Sequence, residues 1–472
     1  MRYARVFPRS DSAYDCRGAS RVSSARAVRR AANDDAELGL RDWFFDDEIL
    51  VARYKLMFKH AFFTLTLAAL LGLSSAAEAV ALRDLAGCKP GADDPIVSSD
   101  GMLRVHLVCD HLLLQIPDNI YGRDILLNTE FAGISGGSES ISPGTLVDSR
   151  VVRFMRRGTK VNLVGVKYEI ASARAPGISR SVEATSLHTV LRSFNIVGRE
   201  TNGEAVIDVT PVFVSAPPRA FALGFMKQFG MSEIDAERSY IEKVKAFSNS
   251  VNIRYYQTWV ADRGDLMRRT GEGEDSVSSS MGFSFFTNFY LLPETPMRPR
   301  FMDPRVGYYS TDFQDYGTGD HGGKTRGYIQ RYRLEKKDPK AAVSDPVQPI
   351  VFYIGRGVPE VWKPYLKQAV DDWQVVFTKA GFSNAIFARD APTETEDPSW
   401  DPDDVRYNVI RWTPSGRKNA LGAAVVDPRS GEVVSSHTLL WHDVLKLIEI
   451  WYFTQASPLD PRAQKLPLPT EL

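Results

Sequence analysis

The sequence predicts an α+β fold, with β-rich N-terminal and central regions followed by a smaller C-terminal α/β unit. Three observations predict it. Between about residues 101 and 292, short runs of alternating apolar residues recur with turn residues between them. Further on, the apolar run Ile350-Val351-Phe352-Tyr353-Ile354 is too brief for a helix, and apolar residues at helical spacing follow it. Last comes a run of small residues, Ala420-Leu421-Gly422-Ala423-Ala424-Val425-Val426-Asp427, ahead of the turn DPRSGE.

Composition narrows the function classes. The 472 residues suggest two or three domains, and 43% hydrophobic content is ordinary for a globular protein. Lys and Arg together number 58, as do Asp and Glu, which argues against a nucleic-acid binder or a polybasic membrane anchor. Three cysteines in so long a chain do not make a disulfide scaffold.

Residues 1–56 are arginine-rich and show no sustained period, so they read as an upstream extension foreign to the folded protein. From Met57 a charged segment with Lys59 and His60 leads into AFFTLTLAALLGLSSA and then Ala77-Glu78-Ala79. That is the layout of a signal peptide over 57–79, with Met57 as the natural start. The apolar core is shorter than the roughly 18 residues a span needs, so no stable membrane span is expected after cleavage. Export would make the protein secreted or periplasmic and would leave Cys88 and Cys109 in an oxidising compartment, free to bridge or to remain thiols.

A small β-rich domain is expected over 80–150, with strands around Leu103 to Leu107, Leu112 to Ile116 and Ile125 to Leu127. His106 and His111 are an odd number of residues apart, which puts them on opposite faces of one strand and disfavours a shared metal. Gly133-Ile134-Ser135-Gly136-Gly137 matches the nucleophile-elbow pattern of serine hydrolases, a minor alternative that would use Ser135. The elbow needs a helix directly after the serine, and a loop-like SESISPG follows instead.

The region 151–345 reads as a β-dominated central domain. Strands are expected at 151–154, 160–166, 206–209, 251–260 and 278–292. A helix capped by Ser232 and Asp235 is expected to carry Ile234, Ile241, Val244 and Phe247 on one face. The glycine-rich stretch from Gly317 to Thr325, with His321, lacks the glycine spacing of a phosphate-binding loop.

From residue 346 onward a strand at 350–354 should lead into a helix starting near Lys363. Its face comprises Trp362, Leu366, Ala369, Val370, Trp373, Val376 and Phe377, with a stop at Lys379 and Gly381. A strand at 408–412 and the small-residue strand follow, and then Val433-Val434. Trp441, Val444, Leu445, Ile448, Trp451 and Tyr452 lie at the spacing of a second amphipathic helix.

These strings carry a resemblance: MRPRFMDPRVGYY (297–309), RLEKKDP (333–339), PIVFYI (349–354), YLKQAVDDWQVVFTKAGF (365–382), DPSWDPDDVRYNVIRW (397–412) and LPLPTEL (466–472). From about Ser98 onward the chain resembles the large secreted bacterial zinc-dependent metalloproteases that carry N-terminal domains of unknown function. The resemblance implies that 346–472 is the N-terminal, upper half of a metzincin-like α/β metalloprotease domain. It also implies peptide-bond hydrolysis by zinc-activated water in the full-length family, on peptide or protein substrates. The zinc helix of that family, with its HExxH motif, follows the equivalent of LPLPTEL. No His in this sequence precedes a Glu, so the chain is expected to lack the zinc helix, to hold no cofactor as given and to be inactive by itself.

What the chain is expected to supply is a substrate groove at Gly422, Ala423 and Ala424, where small side chains would let another backbone pair with an exposed edge. His442, beside Asp443, reads as a second-shell group or a plain helix-start residue, and His437 is five positions away. The competing function is a non-catalytic, exported, β-rich protein that binds peptides or proteins.

Overall fold

Eleven antiparallel strands curl until the first and last meet, in a computed structural model that describes residues 81–89, 95–135, 142–171, 176–199, 203–215, 226–227, 231–261, 280–317 and 322–463. These residues fall within one unit, Leu73–Leu472. The upstream extension and signal segment, Gly136, Gly137, His321 and LPLPTEL lie outside the described residues.

The strands that build the large sheet are β1 (Val97–Ser99), β2 (Arg104–Val108), β3 (His111–Ile116), β4 (Ile125–Ile134), β5 (Leu146–Arg157) and β6 (Lys160–Val166), then β8 (Thr189–Arg199), β9 (Ala205–Asp208), β10 (Met231–Phe247), β11 (Ser250–Ala261) and β12 (Ser280–Leu291). Their order is β1-β2-β3-β9-β8-β6-β5-β4-β12-β11-β10. Met102 N–H donates to Phe247 O at 2.6 Å and Ala246 N–H to Ser99 Oγ at 3.0 Å, which draws the two edges together into a nearly closed barrel. One core fills the inside, dominated by Phe131, Phe154, Phe213, Tyr255, Trp259 and Phe285. Phe213 reaches it from a short helix, α2 (Thr210–Val214); α1 (Pro176–Thr185) lies outside this core cluster.

Alternation sorts each strand's residues between the two faces. On β4, Ile125, Leu127 and Phe131 point into the barrel core, while Leu126 packs in a separate outer cluster with Val151, Val405 and Val425. Because the sheet runs through β4 and β5, a boundary at 150/151 would cut inside β5, and residues on both sides of it share one core. A three-stranded sheet of β7 (Ile170–Ala171), β13 (Ser310–Asp315) and β14 (Lys324–Ile329) stands apart from the barrel.

The C-terminal unit is a five-stranded sheet of β15 (Ile350–Ile354), β16 (Ile386–Asp390), β17 (Asn408–Thr413), β18 (Ala420–Asp427) and β19 (Glu432–Trp441), in the order β16-β15-β17-β19-β18. All its pairings are parallel except β18 with β19. One face lies on the barrel. The other packs Ile354, Ile410, Phe352 and Trp412 against Val370, Trp362 and Leu366 of a helical segment.

Three expectations need correction. The segment expected as a helix from Ser232 is the long strand β10. Its pairing with β11 slips between Asp235 and Tyr240 and again between Ile241 and Lys243, and these irregularities give Ile234, Ile241 and Val244 their helix-like spacing. Asp235 does cap a turn there, accepting the N–H groups of Glu237 and Arg238, but the turn is a bulge. The single helix expected after β15 is two, α3 (Lys363–Asp371) and α4 (Gln374–Lys379), and Trp373 at the break is 59% exposed. Gly381 ends the pair with a φ of 91°, the expected left-handed stop. Trp441 belongs to β19 rather than to the last helix, α5 (Val444–Trp451), and is buried with its Nε1–H donating to Ser142 Oγ at 2.7 Å. No residue of α5 is buried. No helix among the described residues is long and apolar enough to cross a membrane.

Candidate functional site

The residues expected to hold substrate lie on β18, the last strand of the C-terminal sheet. Sequence alone gives its small side chains; sheet order adds that it pairs with β19 on one side only. Gly422 and Leu421 are exposed, Ala423 and Ala424 half-buried. A Cβ built on Gly422 meets nothing within 4 Å, so the space over the strand there is open. Toward the C-terminal end of β18, Val425 and Asp427 are buried against the barrel, which anchors the strand while its first half stays free. The result is a strand edge with main-chain groups unpaired among the described residues and little steric cover, the requirement for adding a peptide strand.

Besides the apolar cluster of Leu126, Val151, Val405 and Val425, polar groups hold the sheet to the barrel. His437 of β19 shares a hydrogen bond of 2.8 Å between its Nδ1 and Glu130 Oε2 of β4, and both residues are 2% exposed. Arg411 of β17 lies beside them and pairs with Asp403. Asp403 also takes Arg254 of β11 at 2.9 Å, and the same guanidinium bonds Asp401. Burial, with the negative charge of Asp403 beside it, pushes the Asp401 carboxyl above its usual range. Asn252 donates to Asp404 at 2.7 Å and Asn288 to Asp403 O at 3.0 Å. The aspartate-rich loop 397–405 is thus a docking element, a role its sequence did not reveal because its partners lie more than a hundred residues away.

The two C-terminal histidines sit in different settings, and the buried Nε2 of His437 has no hydrogen-bond partner among the described residues. His437 faces the barrel, whereas His442 is exposed and accepts Trp412 Nε1–H on its Nδ1 at 3.2 Å. Among the described residues no group of three or more His, Cys, Asp or Glu side chains is placed to hold a metal ion. The donor set present does not fit a zinc centre.

The remaining singled-out residues have structural surroundings. His106 and His111 sit on two strands, β2 and β3, rather than on one; His106 bonds Ser98 and His111 bonds Asp208. The hairpin between those strands turns through Cys109 and Asp110, both with positive φ. Cys109 is joined there to Cys88 in a disulfide with Cα atoms 6.0 Å apart. Ser135 continues the β4–β12 pairing: its N–H donates to Gly282 O at 2.9 Å and its hydroxyl accepts the Gly282 N–H at 2.8 Å.

Residues 144–337 match the family described as Domain of unknown function (DUF5117). The match begins just before β5 and ends after β14, so β1 to β4, which precede it, complete the same barrel. No curated protein and no solved structure matches the chain.

Proposed function

We propose that the C-terminal unit is the substrate-holding part of an exported zinc-dependent metalloendopeptidase of metzincin-like fold, and that β18 receives an extended peptide or protein segment. The observation that carries this reading is the open antiparallel edge of β18 at Gly422. The order of elements supports it: strand, helical segment, parallel strands, then a small-residue edge strand returning antiparallel. In such an enzyme zinc supplies an activated water for peptide hydrolysis. The described residues do not fit the metal, so the part assigned to this chain is to bind and align substrate.

Export belongs to the same proposal and rests on residues 57–79; mass spectrometry of the native protein should find a mature N-terminus at or near Val80. The binding claim is tested by fluorescence anisotropy of a labelled extended peptide. Saturable binding that weakens by about tenfold in Gly422→Trp supports it. Binding unaffected by that substitution removes β18 from the account.

A further inference from the structure

A second site lies at the C-terminal ends of β15 and β17, separate from the β18 edge. β16 and β17 flank β15 on opposite sides, so the connections leaving β15 and β17 part there and leave a crevice, the usual ligand position of an open α/β sheet. A cavity of about 430 Å³ occupies it, lined among others by Gly355, Arg356, Trp400, Arg411, Trp412 and Arg254.

Two residues in that lining carry buried donors with no partner among the described residues. Trp400 is 5% exposed and its Nε1–H is unpaired; Arg411 is 8% exposed and its Nε–H is unpaired. Buried N–H groups left in this state are costly and call for an acceptor. Arg254 and Arg411 are balanced by the buried carboxylates of Asp401, Asp403 and Glu130, whereas Arg356 has no buried carboxylate beside it among the described residues. Asp403 also lines the cavity, but its two oxygens are held by Arg411 and Arg254. Arg356 is braced by Pro392 O at 2.7 Å and lies over the Trp400 ring at 5.1 Å from its centroid. Its carboxylate neighbour, Glu394, is 3.7 Å away and 90% exposed, too solvated to neutralise it.

We propose that this crevice binds a small anion through carboxylate or phosphate oxygens, which accept from Trp400, Arg411 and Arg356. A planar guanidinium beside unpaired N–H donors suits either oxygen set.

The test titrates the full chain with sodium phosphate and, separately, sodium citrate at fixed ionic strength, following tryptophan fluorescence and the thermal midpoint against sodium chloride. Saturation by phosphate alone assigns a phosphorylated ligand, and saturation by citrate alone a carboxylate one; either supports the site. Affinity should fall by about tenfold in Arg356→Gln. Trp400→Phe, which keeps the ring and removes the N–H, should weaken binding as well. Responses no greater than those to chloride, or affinity unchanged in both variants, would overturn the proposal and leave a crevice filled by water.

Discussion

His437 on β19 and Glu130 on β4 meet at 2.8 Å across the junction between the C-terminal sheet and the barrel, both almost wholly buried. Removing the carboxylate leaves the buried His437 Nδ1 without its hydrogen-bond partner and takes away the negative charge 3.8 Å from Arg411. Glu130→Ala should therefore lower stability by about 3 kcal/mol. Thermal unfolding of Glu130→Ala, His437→Leu and the double variant checks this: the double variant should be less destabilised than the sum of the two singles. Strict additivity would mean that the contact carries no coupling.

A second cluster, in which Arg429 of the β18–β19 turn reaches Asp124 of the barrel at 3.1 Å, gives stability a pH dependence. Burial pushes the Asp124 carboxyl up, but hydrogen bonds from Arg153 and Tyr168 hold it below the usual range overall. Its folded pKa lies under its unfolded value, so its stabilisation is present above the unfolded pKa and is lost as pH falls through the folded one. Tyr168 moves the other way: burial first, then its bond to Asp124, raise it from 10.0 to about 12. Its contribution is complete below pH 10 and is lost as pH rises toward about 12. The thermal midpoint should decline at both ends. Tyr168→Phe should shallow the alkaline limb and Asp124→Asn the acid limb; limbs that keep their slopes in these variants would contradict the assignment.

The turn between β18 and β19 depends on one glycine. Gly431 has a φ of 75°, and a Cβ there would meet Ile329 O at 2.4 Å. Gly431→Ala should destabilise by about 2 kcal/mol. Because this turn sets the end of β18 and its register with β19, peptide binding should weaken in parallel. A variant as stable as the parent would show that the turn rearranges freely.

Much of the fold is legible in the sequence because alternation is a local signal. The expected strands at 160–166 and 251–260 correspond to β6 and β11, and the helix start near Lys363 matches α3. Local reasoning failed where the period was broken, as in β10, where the irregularity next to Asp235 made an alternating strand look helical. It also missed β16 and the polar stripe of Glu130, Arg254 and Asn288, whose partners come from strands and a loop far along the chain. The small residues of β18 were visible in sequence. Its place at the edge follows from sheet order, which no local pattern encodes.

No group of three or more His, Cys, Asp or Glu side chains among the described residues is placed to hold a metal ion, so the full chain should retain no stoichiometric zinc after dialysis and should not hydrolyse casein. Metal analysis and a casein assay, each with and without a chelator, check this. Stoichiometric, chelator-sensitive zinc together with proteolysis would place a metal site in residues not described here.

The central claim is that main-chain groups along the free edge of β18 hold substrate. The most direct measurement compares an extended peptide with the same peptide N-methylated at alternate residues on its pairing edge, titrated into the full chain and read by anisotropy. N-methylation removes the N–H donors that strand addition requires while leaving the side chains in place. The account predicts saturable binding of the parent peptide and a loss of about tenfold or more on N-methylation. Equal affinity for the two peptides, or no saturable binding of the parent, would contradict it.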